Sequence, residues 1–109
     1  MKEYKILISD DAKDDLRTIY NYITNTLLEP GIASGQKNRI LDGIRSLDHM
    51  PERYQLYDAE PWRSKGFRKM LVDHYFVFYV PFTDKSEVLV VRVIYARRDI
   101  DAALREKES

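Results

Sequence analysis

The chain of 109 residues contains no cysteine. That excludes a disulfide framework, a thiolate nucleophile and a cysteine-based zinc site. Histidine is almost as scarce, with His49 and His74 far apart in sequence, so neither a metal nor a cofactor is expected. There is no Gly-rich phosphate loop, no GxSxG elbow and no HExxH pair. An excess of either charge is missing too, because 18 Lys and Arg balance 18 Asp and Glu. No global field draws the chain to nucleic acid, and any such contact must come from a local patch. No apolar run approaches the roughly 20 residues that span a bilayer, and the opening MKEYKILISDD lacks the apolar core and cleavage site of a signal peptide. A cytoplasmic location without membrane contact is the expectation.

What is present is an ordinary globular composition, 44% hydrophobic and 33% charged, in a length that suits one domain over 1–109. Tyr4, Ile6 and Ile8 alternate with polar or outward residues and predict a short strand up to Ser9. Ser9 is a candidate N-cap. Asp10, Asp11, Asp14 and Asp15 then place negative charge where a helix dipole favours it, which accounts for them better than a metal cluster does. Ala12, Leu16, Ile19, Ile23 and Leu27 form one apolar stripe, with Asp15, Arg17, Thr18 and Asn21 expected in water, and Pro30-Gly31 is expected to end the helix. A second stripe runs through Ala33, Gln36 or Lys37, Ile40, Ile44 and Leu47 until Met50-Pro51. Joined by so short a turn, the two helices predict an antiparallel hairpin lying on a sheet.

Residues 51–65 carry two prolines and three large aromatics, Tyr54, Tyr57 and Trp62, and predict a loop pinned by its rings. The stretch Gly66–Asp99 then holds the longest apolar runs and most of the aromatics. It predicts three strands: Phe67–Val72, Tyr75–Val80 and Val88–Tyr95. Asp73-His74 makes the first turn, and Thr83 to Ser86 the second, after Pro81 ends the middle strand. In the last strand, alternation puts Leu89, Val91, Val93 and Tyr95 on one face and Val88, Val90, Arg92 and Ile94 on the other. For the first strand, the inward set is open between Arg68, Met70, Val72 and Phe67, Lys69, Leu71. Asp99 is positioned to cap a polar terminal helix over about 100–107. The order β-α-α-β-β-β(-α) is that of an α+β fold, a helical hairpin on one face of a twisted, mainly antiparallel four-stranded sheet whose other face is partly open.

A basic group is the chief candidate for chemistry: Arg63, Lys65, Arg68 and Lys69 around the start of one strand, Arg92 within the last, and Arg97 and Arg98 just after it. Guanidinium forks suit phosphate or carboxylate, and in a metal-free ribonuclease they offset charge on a pentacovalent phosphate. His74 lacks an evident acid partner and is better explained as a turn residue. His49 sits near a helix C-terminus, where the dipole favours it.

The helix SDDAKDDLRTIYNYI, Pro51 after the second helix, the GFRKM strand start, the YFVFYV strand and the closing VVRVIYARRDI, in this order, resemble the RelE/ParE superfamily, the toxins of bacterial type II toxin-antitoxin modules. The resemblance covers nearly the whole chain. It implies a toxin neutralised by a cognate antitoxin in a hetero-oligomeric complex, with growth arrest on expression. RelE-like members are ribosome-dependent, metal-independent messenger-RNA endonucleases; ParE-like members inhibit DNA gyrase without being enzymes. Members of the first kind typically carry an arginine where this chain has Phe76, and end in tyrosine or histidine-tyrosine where this chain ends DAALREKES. The helix pattern and DHYFVFYVP look more like ParE. The resemblance therefore implies a gyrase inhibitor with no catalytic residue, and with Arg68, Arg92, Arg97 and Arg98 as target-binding candidates. The alternatives are a ribonuclease acting on message in the ribosome, with Arg68, Arg97 and Arg98 steadying phosphate, and an inactive toxin fold that only binds antitoxin.

Overall fold

Ser9 sets the first corner of the fold. In the computed structural model, which describes residues 3–107, strand β1 (Lys5–Ile8) stops there and helix α1 (Asp10–Asn21) begins. The Ser9 hydroxyl accepts from the Ala12 amide at 3.0 Å and donates to the Val91 carbonyl at 3.0 Å. One side chain thus caps the helix and pins it to the sheet. Beyond Asn21 the helix widens into a five-residue π-helical turn, Tyr22–Thr26, and Leu28 takes a left-handed backbone with φ 54°. Helix α2 (Pro30–Arg45) follows. Pro30 opens the second helix instead of closing the first, because the first helical position needs no amide proton.

Strands β2 (Arg68–Val72), β3 (Tyr75–Phe82) and β4 (Glu87–Tyr95) form an antiparallel meander, and β1 adds parallel to β4, giving the order β1-β4-β3-β2. Asp73, at φ 54°, makes the predicted turn between β2 and β3. Pro81 does not end β3: the strand runs on to Phe82, paired only with β4, because β2 stops where Arg68 meets Tyr79. With no ladder on its other edge there, the strand tolerates a residue without an amide proton.

The helical hairpin covers one face, as the sequence predicts. Ala12, Leu16, Ile40, Ile44 and Leu47 pack on Met70, Val77, Tyr79, Val88, Val90 and Val93, so Met70 and Val72 are the inward set of β2. Gly43 permits the close approach of α2, since a Cβ there would lie 2.9 Å from a Val72 methyl. The opposite face is not open. Trp62, 1% exposed, joins Phe78, Ile94, Ala103 and Leu104 in a second core closed by the 51–65 connection and by helix α3 (Ile100–Arg105). Asp99 caps α3 through the Ala102 amide, and burial of Ala103 and Leu104 anchors a helix that reads as mostly polar.

A bulge in β4 lets one strand serve both cores. Phe78 pairs with Arg92 but Tyr79 with Val90, leaving Val91 as the extra residue. Strict alternation therefore fails: Val88, Val90 and Val93 share the helix face, while Val91 and Ile94 pack in the other cluster.

Candidate target-binding surface

The predicted basic group does not gather in one place. Arg92 is 5% exposed and sits inside the protein, between the two cores. Its Nε and Nη2 donate to the two carboxylate oxygens of Asp15 at 2.7 and 3.1 Å, and its Nη1 donates to the Ala103 carbonyl at 2.6 Å. Asp15, expected in water, also accepts from the Val93 amide at 2.8 Å. This is the part of β4 past the end of β1, so α1 supplies the acceptor that a longer edge strand would have offered. Arg92 thus holds α1, β4 and α3 together, and its guanidinium has no free face for a target.

Arg68 opens β2, opposite Tyr79 midway along β3. Its Nη1 donates to the backbone carbonyls of Tyr54 at 2.6 Å and Glu52 at 3.2 Å, tying down the loop before β2. Next to it the Tyr79 hydroxyl donates to the Pro51 carbonyl at 2.6 Å, and burial pushes that phenol up to about 12. Arg97 and Arg98 follow Tyr95, which pairs with the first residue of β3. The four steps of β2 alone separate the two ends by about 13 Å. Arg63 pairs with Asp58 at 2.9 Å in the outer connection, and the Lys69 ammonium lies over the rings of Phe76 and Tyr57 at 4.9 and 5.6 Å.

Of the four candidates, only Arg97 and Arg98 are exposed side by side. Arg98 pairs with Glu106 at 2.8 Å; the Arg97 side chain has no hydrogen bond or ion pair among the described residues. His74 is exposed in its turn, where its carbonyl accepts from the Ala96 amide, and the His49 ring meets Asp48 at 2.6 Å. Among the described residues no group of three or more His, Cys, Asp or Glu is placed to hold a metal, and no helix is long and apolar enough to cross a membrane.

Beside Arg98 opens a cavity of about 520 Å³ that sequence reasoning missed. Ile19, Tyr22, Ile23 and Leu27 come to it from the hairpin, Tyr75 from β3, and Val93, Ile94 and Tyr95 from β4. The Tyr75 and Tyr95 rings meet edge-on with centroids 5.7 Å apart, and burial, then the nearby Tyr95 and Tyr22, raises the Tyr75 phenol above its ordinary value. Outside the mouth the hairpin tip exposes Leu27, Leu28 and Ile32, with Leu28 at 76%. The only sequence signal was positional: each tyrosine lies where its element reaches the same end of the sheet. The arrangement offers an apolar, aromatic recess with Arg98 in its lining.

This fold is that of toxins from type II toxin-antitoxin systems. It is similar to a structure of the chromosomal ParDE system of P. aeruginosa, with 16% identity over 89% of this chain and 100% of that one and a TM-score of 0.72. It is similar also to an arginine-to-alanine double mutant of E. coli RelE in the free state (14% identity, 97% of this chain and 99% of that one, TM-score 0.64), and to a chain of the RelBE2 toxin-antitoxin complex of Mycobacterium tuberculosis (18%, 87% and 93%, TM-score 0.59). At such identities the likeness is one of fold. No curated protein sequence gives a significant match. The family profile of the ParE toxin of the type II toxin-antitoxin system parDE matches residues 6–100. The chain belongs to this ParE toxin family and is a type II toxin of the RelE/ParE superfamily.

Proposed function

We propose that this toxin acts in the cytoplasm as a non-enzymatic inhibitor of DNA gyrase, arrests growth, and is held inactive by a cognate antitoxin in a hetero-oligomeric complex. The observation that carries the reading is the dispersal of the arginines. A metal-free ribonuclease needs its cations around a single phosphate, whereas Arg68 is spent on loop carbonyls at the start of β2, and Arg97 and Arg98 follow the end of β4 that lies level with the last residue of β2. Phe76, in the place where nucleases of this superfamily are expected to put an arginine, packs against the second core. Arg97 and Arg98, beside an aromatic recess, instead suit a protein target, since interfaces favour arginine and tyrosine at their energetic centres.

The test is a supercoiling reaction with purified gyrase and added toxin, run beside ribosomes translating a defined message. Loss of supercoiling with intact message is the expected result. Cleaved message with unchanged supercoiling overturns the proposal in favour of the RelE-like endonuclease. Both substrates untouched, with expression harmless to cells, favours an inactive fold that only binds antitoxin. Replacing Arg97 and Arg98 together by alanine is expected to abolish inhibition while the antitoxin still binds.

A further inference from the structure

The end of α1 is wound differently from the rest of the hairpin. After Asn21 the Leu27 amide donates to the Tyr22 carbonyl, five residues back at 3.2 Å, instead of to the carbonyl of Ile23. The Ile23 carbonyl accepts from the Glu29 amide at 3.1 Å. Such a π-turn holds one residue more than the α-helical turn it replaces, and π-turns are rare and often lie at functional sites. Two further costs fall within the same few residues. Leu28 stands at φ 54°, a left-handed backbone that a leucine side chain disfavours. The Thr24 side-chain oxygen is buried and has no hydrogen-bond partner among the described residues.

A second winding removes all three features. If the end of α1 rewinds to α, the Thr26 amide donates to the Tyr22 carbonyl and the Leu27 amide to the Ile23 carbonyl. The extra residue then passes into the loop 27–29. Pro30 at the start of α2 has no amide proton to place, so the second helix begins as before. Leu28 is released from its left-handed backbone, and the Thr24 hydroxyl reaches the carbonyl four residues back, that of Tyr20. Against these gains stands the loss of the bond from Glu29 to Ile23.

We infer that the hairpin tip is a two-state element that passes one residue between the π-turn at 22–26 and the loop at 27–29. Ile23, buried four residues after Ile19, keeps its place on the α1 stripe in both windings. Leu27 does not. It lines the cavity of about 520 Å³ with Tyr75, Tyr95 and Arg98 in the π-wound state, and it turns with the helix end when the tip rewinds. The winding therefore sets one wall of the recess, and the tip is its gate. Helix register shifts of this kind take microseconds to milliseconds.

The test is relaxation dispersion of the backbone amides in the full chain. Exchange is expected at 22–29 and, across the cavity, at Val93, Ile94 and Tyr95, with none at Ile40 and Ile44 in α2. Leu28→Gly removes the penalty on the left-handed backbone and is expected to lower the rewound population about fivefold. Thr24→Val removes the unpartnered hydroxyl at nearly the same shape and is expected to lower it too. Deletion of Asn25, exposed in the π-turn, takes out the extra residue. The amide shifts of that variant at Val93, Ile94 and Tyr95 are expected to differ from those of the unaltered chain by the amounts that dispersion gives for the minor state. Flat dispersion at 22–29 in the unaltered chain overturns the inference, as does exchange whose minor population ignores Leu28→Gly. A folded deletion variant with the major state's shifts around the cavity overturns it as well. If the deletion unfolds the chain, the two point variants decide.

Discussion

The two faces of the sheet are closed by different means. On one, two helices of 12 and 16 residues lay down apolar residues at helical spacing; on the other, an irregular connection and a helix of six residues bury one tryptophan, one alanine and one leucine. The first closure follows from periodicity and forms wherever two such stripes meet a sheet. The second depends on single residues reaching particular places. Tyr57 donates to Asp101, Arg105 lies over the Trp62 ring, and Arg92 donates to Ala103. Between the faces stands the Asp15–Arg92 pair, which lets α1 on one side hold α3 on the other. The candidate surface lies where the hairpin tip overhangs the ends of β3 and β4, next to the residue that leads into α3.

Cutting the link between the faces is expected to have the largest effect. Asp15→Ala leaves the buried Arg92 guanidinium with only the more distant Glu106 carboxylate, at 3.8 Å, and is expected to cost about 3 kcal/mol in urea unfolding. A loss below about 1 kcal/mol there makes the pair an ornament and the two faces independent. Trp62→Ala is expected to cost about 3–4 kcal/mol, as a cavity in a true core does. A small loss would demote the second cluster to a surface plug. Leu104→Ala, on a short helix free to settle, is expected near the lower end of leucine truncations, about 2 kcal/mol. It should also raise hydrogen exchange across α3 before it affects α2. Tyr79→Phe removes the hydroxyl that donates to the Pro51 carbonyl and is expected to cost about 1 kcal/mol, with no effect on the cavity.

The smallest effect concerns pH. The hydrogen bond from Arg39, then that from Gln36, holds the Asp73 carboxyl below its ordinary value. A depressed folded-state pKa contributes stability that is present above the ordinary carboxylate value and is lost as pH falls through the lower, folded value. Because the pair is exposed, the acid-labile contribution is expected to stay under about 1 kcal/mol. Arg39→Ala should flatten that part of the stability curve, as equilibrium unfolding between neutral and strongly acid pH would show.

Much of the helix face was legible beforehand. Ser9 as cap, Asp73-His74 as turn, and the stripes through Leu16 and Ile44 each have a local cause, and local causes are visible in sequence. The exceptions share another kind of cause. Asp15 looked like helix surface because its partner is 77 residues away. Arg92 looked like a target contact because an arginine inside a β-branched run carries no sign of whether a carboxylate waits for it. Pro81 looked like a terminator because nothing local says that β2 stops opposite Tyr79.

The sequence by itself determined the family, the order of the elements, the hairpin on the sheet and the exposed arginines after the last strand. The tertiary structure alone sets Arg68 and the Arg97–Arg98 pair towards opposite ends of β2, buries Arg92, and brings three tyrosines from three elements to one recess. Periodicity and capping act over a few residues, so a single stretch of chain records them. Strand order, the bulge at Val91 and the burial of a charge are set by segments distant in sequence, and no single stretch records which segments will meet.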